Sequence, residues 1–354
     1  MRAVLRRALP LLVAALALLF VLRGIDLREL ALRTRDASLL PLLGFSAVMA
    51  LVNCAADTLA MYYVFRWFGL SLRFGELYTI RAATYTLAVI NYHAGQLGII
   101  GYIHRCGKIS LSRASAYILF IVGVWVALLL LFAGGTLVLG GPKAAALAPV
   151  LLLFFAGLAV YALLLWWPPK FLLALPPATG SGASAWSRLV HKIWRLAHKL
   201  WAPLYEAGIR GHLRALAVRL PHLAAVLIWH LWALRCFHVE LPWHVAVLYL
   251  PVVFAVTSLP ISVQGLGTAQ MAAVYFLSDG SVGETEKVLA YSLTMTAIST
   301  VSNLTMGLLF LRAGTRLGLK EMTEEAGKDG DEEADERTQT RLPPSPSSMP
   351  LTNV

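Results

Sequence analysis

The chain of 354 residues is 58% hydrophobic and only 14% charged, with a mean hydropathy of +0.69. Soluble domains carry about 25% charged residues, so this composition excludes a soluble protein and indicates several membrane-spanning helices. The net charge of +11 is unevenly spread: from Glu321 onward nine acids and three bases give −6, which leaves +17 on residues 1–320. These bases flank apolar stretches, so they favour anionic membrane lipids as neighbours and argue against a nucleic-acid partner.

Six apolar stretches are long enough to be transmembrane helices, since a span needs about 20 apolar residues. They cover 8–25, 39–65, 114–139, 144–167, 214–237 and 288–311. The first follows Arg2, Arg6 and Arg7 and resembles a signal peptide. No small-x-small cleavage site follows it, however, so we interpret it as an uncleaved first helix.

Two further apolar stretches, 74–103 and 245–278, are each interrupted by a similar short phrase. The first phrase is Ala-Gly-Gln-Leu-Gly (94–98), and the second is Val-Gln-Gly-Leu-Gly (263–267). Glycine and proline breaks in matching hydrophobic segments indicate a transporter-like binding site. Broken backbone is tolerated in hydrocarbon only where it is buried in protein or lines a polar cavity. Both stretches are therefore predicted to be broken, re-entrant hairpins.

The positions of lysine and arginine predict which loops face the cytoplasm. Basic residues flank both ends of 74–103, so this hairpin enters and leaves from the cytoplasmic side. The acidic loop 279–287 places the second hairpin on the outer side. Helix, helix, hairpin, helix thus occurs twice with opposite orientation, in repeats 8–139 and 144–311, and both termini are cytoplasmic. The predicted fold is an all-α polytopic membrane protein with about six full transmembrane helices and two re-entrant hairpins in an inverted repeat.

The segment 168–213 between the repeats begins with a linker rich in proline, glycine and serine and continues as a basic amphipathic helix. Its apolar residues, including two tryptophans, recur at helical spacing. We expect this helix to lie in the cytoplasmic headgroup plane; the alternative is a cytosolic connector packed on the loops. The membrane domain is predicted to span 1–316. The acidic tail 317–354 has almost no apolar residues to bury, so it is predicted to be disordered.

Residues at the two helix breaks are the candidate substrate-binding residues. Free amides at a helix break can bind an anionic headgroup, because helix N-termini present unpaired N–H groups and a positive dipole end. The alternative is that the glycines only permit close helix packing. The candidates are Asn91, His93, Gly95, Gln96, Gly98 and Arg105 in the first hairpin, and Pro260, Ser262, Gln264, Gly265, Gly267 and Gln270 in the second.

Asp57 is a carboxylate inside the apolar stretch 39–65, one helical turn from Asn53. A charged residue in a membrane span is costly and indicates a function by default. Two roles are open for it: coupling of protons to transport, or an ion pair with Arg81 in the first hairpin. The nine histidines form no metal motif and no nucleotide-binding loop is present, so no cofactor is predicted.

The second phrase in its context, Leu-Pro-Ile-Ser-Val-Gln-Gly-Leu-Gly-Thr-Ala-Gln (259–270), resembles the signature of the lysylphosphatidylglycerol synthase transmembrane-region family, the flippase-like domain. The first phrase, with Arg105 and further bases downstream, looks like the Gly-x-Leu-Gly-Glu stretch of that family. The resemblance covers about residues 5–315. It includes the order of the spans and the central basic helix.

The resemblance implies a bacterial inner-membrane protein that moves, or helps to modify, lipids or lipid-linked saccharides, with anionic or polyprenyl-linked lipids as partners. Full synthases add a soluble aminoacyltransferase domain; only a short tail follows here, so no enzymatic activity is expected. Ile99, Ala269 and Gln270 stand where the family motifs have Glu, Arg and Glu. These departures remove ionic groups from the expected site. They keep open an alternative, a non-transporting accessory subunit of a membrane glycosyltransferase or lipid-synthesis enzyme.

Overall fold

The computed structural model describes residues 27–90, 92–139, 143–166, 185–258 and 266–341, and every regular element in these ranges is an α-helix. In chain order the helices are α1 (Leu27–Asp36), α2 (Leu39–Trp67), α3 (Phe74–Ile90), α4 (Tyr92–Cys106), α5 (Leu111–Leu139), α6 (Ala144–Trp166), α7 (Ala185–Cys236), α8 (Trp243–Ser258), α9 (Thr268–Leu277) and α10 (Val282–Arg341).

Five helices, α2, α5, α6, α7 and α10, contain segments that are long and apolar enough to cross a membrane. Each overlaps one of the predicted spans, and the segment in α7, His191–Cys236, begins well before the predicted 214–237. The remaining predicted span, 8–25, lies outside the described residues. The chain is therefore an all-α membrane protein, as its composition predicts.

The first broken stretch forms two short helices, α3 and α4, which pack against each other on either side of position 91. With 17 and 15 residues they are about 25 Å long or less, shorter than the roughly 30 Å hydrocarbon core of a bilayer. Gly95 lies against Ala88, and Gly98 lies against Thr84. A Cβ atom on Gly98 would lie 2.8 Å from Cγ2 of Thr84. These two glycines therefore do permit close packing of the two helices.

The second broken stretch forms α8 and α9, which also pack against each other. They have 16 and 10 residues, and residues 259–265 between them lie outside the described ranges. The rings of Tyr249 and Phe276 stack with centroids 5.6 Å apart across the pair. Both hairpins pack against α10, and they are not major packing partners of each other among the described residues.

The amphipathic segment and the span after it form one helix, α7, of 52 residues rather than two elements. Gly208 interrupts its helical geometry with φ 54° and ψ −175°, a conformation that favours glycine. The N-terminal portion before this break has three distinct faces. The exposed apolar face carries Trp186, Leu189, Ile193 and Leu196; the exposed basic face carries Lys192, Arg195 and Lys199; and the third face carries the buried His191 and half-buried Trp194.

The last helix also differs from its predicted extent, because α10 continues as helix to Arg341. The prediction of a disordered tail from 317 therefore disagrees with the structure over 317–341, while 342–354 lie outside the described residues. A helix that extends from a membrane span needs no new nucleus. The Glu, Ala and Lys residues of this segment also favour helix without any burial.

The buried apolar residues form two large clusters, and α2, α5 and α7 contribute to both. One cluster surrounds the first hairpin. The other contains α8, α9 and the first part of α10. Along α7 the change from one cluster to the other falls between Ala215 and Leu223, and along α5 it falls between Val124 and Leu128. A layer of polar side chains lies at this level.

Candidate functional site

Asp57 on α2 is buried and lies between two buried arginines from different helices. Nε of Arg81, on α3, donates to Oδ2 of Asp57 at 2.6 Å, and Nη1 of Arg219, on α7, donates to Oδ1. An unpaired carboxylate in a low-dielectric interior costs several kcal/mol, so the two guanidiniums offset this cost. Of the two roles left open for Asp57, the ion pair with Arg81 is present in the structure.

Arg219 is the member of this cluster that the sequence analysis missed. The available signal was an arginine inside the apolar stretch 214–237, where a charged residue is costly. Aromatic rings line the two guanidiniums: Tyr85 lies 4.9 Å from Arg81, and Trp125 lies 5.7 Å from Arg219. Such cation–π contacts are stabilising when the cation is desolvated. The cluster connects α2, the first hairpin and α7 in one buried unit.

A groove of about 500 Å³ lies between the first hairpin and α10. It brings together two of the predicted residues, Gly98 and Arg105, with Thr84 and Thr86. Apolar side chains form most of the remaining wall, and Gly101 opens it further because a Cβ atom there would meet nothing within 4 Å. Arg105 is exposed. The groove therefore combines an apolar surface with one positive charge and three hydroxyl-bearing residues, Thr84, Thr86 and Tyr102. The sequence analysis did not select Thr84, Thr86 or Gly101.

The other predicted residues of the first hairpin are placed differently. Gly95 and Gln96 are buried in α4. Neither lines the groove. Asn91 lies outside the described residues, and the side chain of His93 is not among those described. Within this hairpin, Gly95 and Gln96 are therefore packed inside the protein, whereas Gly98 and Arg105 line the groove.

In the second hairpin, Gly267 and Gln270 form the N-terminal cap of α9. Gly267 has φ +82°, and its N–H donates to Oε1 of Gln270 at 2.6 Å. Nε2 of Gln270 donates to the hydroxyl of Thr296 on α10 at 3.0 Å. Gln270 thus caps a helix N-terminus and links two helices. Both polar atoms of the Gln270 side chain therefore have hydrogen-bond partners within the protein. Pro260, Ser262, Gln264 and Gly265 lie outside the described residues.

Lys143, which precedes α6, contacts the C-terminal end of α9. Its Nζ donates to the carbonyl oxygen of Ser278 at 2.7 Å and to that of Tyr275, so it satisfies free carbonyls at the C-terminal end of α9. Partial burial lowers the pKa of Lys143, and the nearby Asp279 opposes that shift. Hydrogen bonding from Ser281 lowers the pKa of Asp279 below its usual value of 3.8.

No protein-family model matches this chain, and no curated protein or solved structure shows a significant match to it. Within the described ranges, no group of three or more His, Cys, Asp or Glu side chains is placed to hold a metal ion. The candidate site consists of the groove at the first hairpin and the buried ionic cluster around Asp57.

Proposed function

We propose that this protein binds amphipathic lipids or lipid-linked saccharides and moves them across the membrane. The observation that carries this proposal is the groove between the first hairpin and α10, with Arg105, Thr84 and Thr86 among mainly apolar walls. A lipid with an anionic headgroup matches this lining, because acyl or polyprenyl carbons favour the apolar wall. Arginine is also a preferred partner of phosphate oxygens.

The proposal includes a topology that the positions of basic residues favour. Both termini are cytoplasmic in a bacterial inner membrane, the two hairpins are re-entrant from opposite faces, and the repeats 8–139 and 144–311 are inverted. In support, α3 and α4 are each shorter than a bilayer core. Rocking of one repeat against the other would then expose a bound headgroup on alternate sides.

The proposal is tested by lipid scrambling in proteoliposomes that contain the purified full chain. Fluorescent phosphatidylglycerol, an aminoacylated phospholipid and a polyprenyl-phosphate sugar are the three probes. We expect scrambling of at least one probe above the rate of protein-free vesicles. Leak-level rates for all three probes would contradict transport.

Variants of the groove, each with a matched control, test whether lipid scrambling takes place through the groove. Gly101→Leu fills the groove where no atom obstructs a larger side chain, and Gly157→Leu adds the same group to α6, where a Cβ atom also meets nothing within 4 Å. Arg105→Gln removes the charge, and Arg210→Gln removes an exposed charge from α7. Slower scrambling in Gly101→Leu and Arg105→Gln but not in the controls supports the groove as the lipid path. Equal effects in all four variants would contradict it.

One observation favours the second candidate function, an accessory subunit of a membrane glycosyltransferase or lipid-synthesis enzyme. Gln270, at the position where a transport site in the second hairpin would need a free polar group, has its amide engaged by Gly267 and Thr296. Copurification with such an enzyme, together with leak-level scrambling, would support this function over transport.

A further inference from the structure

The ionic cluster around Asp57 has more positive than negative groups. Two guanidiniums, Arg81 and Arg219, share one carboxylate, and arginine does not lose its proton in proteins. These three side chains together therefore carry one excess positive charge. Asp57 and Arg219 lie in helices that are long and apolar enough to span a membrane, and Arg81 lies in α3, which packs against α2. An uncompensated charge is costly in such surroundings.

The same cluster contains buried nitrogen atoms that lack a hydrogen-bond partner among the described residues. They are Nε of Arg219 and Nδ1 of His222. The two side chains are three positions apart on α7, so they share one face of the helix. Both also contact the ring of Trp125 on α5, with centroid distances of 5.7 Å for Arg219 and 4.7 Å for His222. A buried donor without a hydrogen bond is destabilising.

Asn53 on α2 is a third buried residue with an unsatisfied polar atom. It lies four positions from Asp57, on the same face of α2, and its buried Oδ1 has no partner among the described residues. A half-turn of the amide replaces this oxygen with the NH₂ group, which is a donor. Arg219, His222 and Asn53 can therefore all present N–H groups in the polar layer between the two apolar clusters.

We propose that this polar layer is an anion-binding site, in which a small anionic group accepts hydrogen bonds from Nε of Arg219, Nδ1 of His222 and the amide of Asn53. A bound monovalent anion balances the excess charge and satisfies the free donors at once. The chemistry fits a halide, inorganic phosphate or the phosphate of a lipid headgroup. None of the residues of this site lines the groove at the first hairpin, so the inference does not depend on lipid transport.

The site is tested by the thermal unfolding of the purified full chain in detergent. A ligand that binds only the folded state raises the Tm in a concentration-dependent way. Sodium chloride and sodium phosphate are titrated against sodium gluconate at equal ionic strength. Dihexanoyl phosphatidylglycerol is titrated against dihexanoyl phosphatidylcholine to distinguish a lipid phosphate from a free anion. We expect the Tm to rise with at least one of the anionic probes relative to its paired control.

Two variants and two controls assign the effect to the site. His222→Phe keeps the ring contact with Trp125 but removes the donor, and Asn53→Leu removes the amide. In each variant, the anion concentration that gives half of the maximal rise in Tm is expected to increase at least tenfold. The controls are His212→Phe, which removes another histidine of α7 that contacts an aromatic ring, and Arg210→Gln. Both should retain the wild-type dependence.

Two results would contradict the proposed anion-binding site. A Tm that does not depend on any anionic probe means that water satisfies the free donors and no anion binds. An anion effect of equal size in the wild type, His222→Phe and Asn53→Leu means that anions bind elsewhere on the protein. Either result can be obtained whether or not the protein scrambles lipids, so failure of this site and failure of the proposed function are distinguishable.

Discussion

At the residue scale, the Asp57 carboxylate links α2 to both α3 and α7 through Arg81 and Arg219. The partner from α3 was within reach of sequence reasoning, because Arg81 is the basic residue inside the neighbouring apolar stretch. The partner from α7 is 162 positions away along the chain. No local pattern reports which helices of a bundle become neighbours at such a separation, so only the structure could pair Arg219 with Asp57.

We predict that Asp57→Ala is severely destabilising. Removal of one member of a buried ionic network costs about 3–5 kcal/mol, because it leaves charges buried without compensation. Here both Arg81 and Arg219 would lose the carboxylate. Thermal unfolding in detergent measures the effect, with Asp36→Ala on the exposed end of α1 as the control. Similar Tm values for the two variants would show that the cluster does not stabilise the fold.

We predict an acid-sensitive contribution from Asp279. Its pKa is lowered in the folded protein by hydrogen bonding to Ser281, so its stabilising effect is present above its usual pKa of 3.8. That effect is lost as the pH falls through the lower folded value. Asp279→Ala should therefore reduce the Tm slightly at neutral pH. The difference from wild type should disappear in strong acid, and a difference that is constant with pH would contradict this assignment.

At the element scale, α10 packs closely against α3 through its glycines. A Cβ atom on Gly307 would lie 2.5 Å from the backbone nitrogen of Thr86, and one on Gly314 would lie 2.7 Å from Cβ of Ala83. The sequence alone does not indicate which helix these glycines contact. Backbone atoms cannot move aside as a flexible side chain can, so this contact tolerates few residues other than glycine.

We predict that Gly307→Leu destabilises the protein by about 1–3 kcal/mol or more, the usual cost of overpacking. Gly157→Leu on α6 is the matched control, because a Cβ atom at that position meets nothing within 4 Å. Unfolding by heat in detergent compares the two variants. Equal stability would mean that α10 and α3 can separate without cost.

The amphipathic portion of α7 gives a second prediction at this scale. Trp186 and Ile193 are 73% and 58% exposed on its apolar face, next to a face with Lys192, Arg195 and Lys199. Such a helix binds an anionic lipid surface. A bimane probe on Ile193→Cys should be quenched by nitroxide-labelled lipids in nanodiscs that contain phosphatidylglycerol. The same probe on Lys192→Cys should be quenched less, and equal quenching at both positions would contradict insertion of the apolar face.

At the scale of the whole molecule, composition and hydropathy were sufficient to predict an all-α membrane protein. The length and polarity of a membrane span are local properties of the sequence. Five predicted spans overlap described helices. Local patterns did not predict that both hairpins pack on α10 rather than on each other, or that the amphipathic segment and the next span form one helix with a break at Gly208. These features depend on contacts between distant segments.

The last prediction follows from the proposed inverted arrangement of the two repeats. Loops that follow the two hairpins should face opposite sides of the membrane: Ser110 the cytoplasm, with its basic neighbours, and Asp279 the outside. Both residues are exposed, and Lys143 holds the second loop at the end of α9. In a variant without native cysteines, a membrane-impermeant maleimide added to intact cells should label Asp279→Cys. It should label Ser110→Cys only after permeabilisation. Labelling of both residues from the same side would exclude the inverted repeat, and with it alternating access between two opposed hairpins.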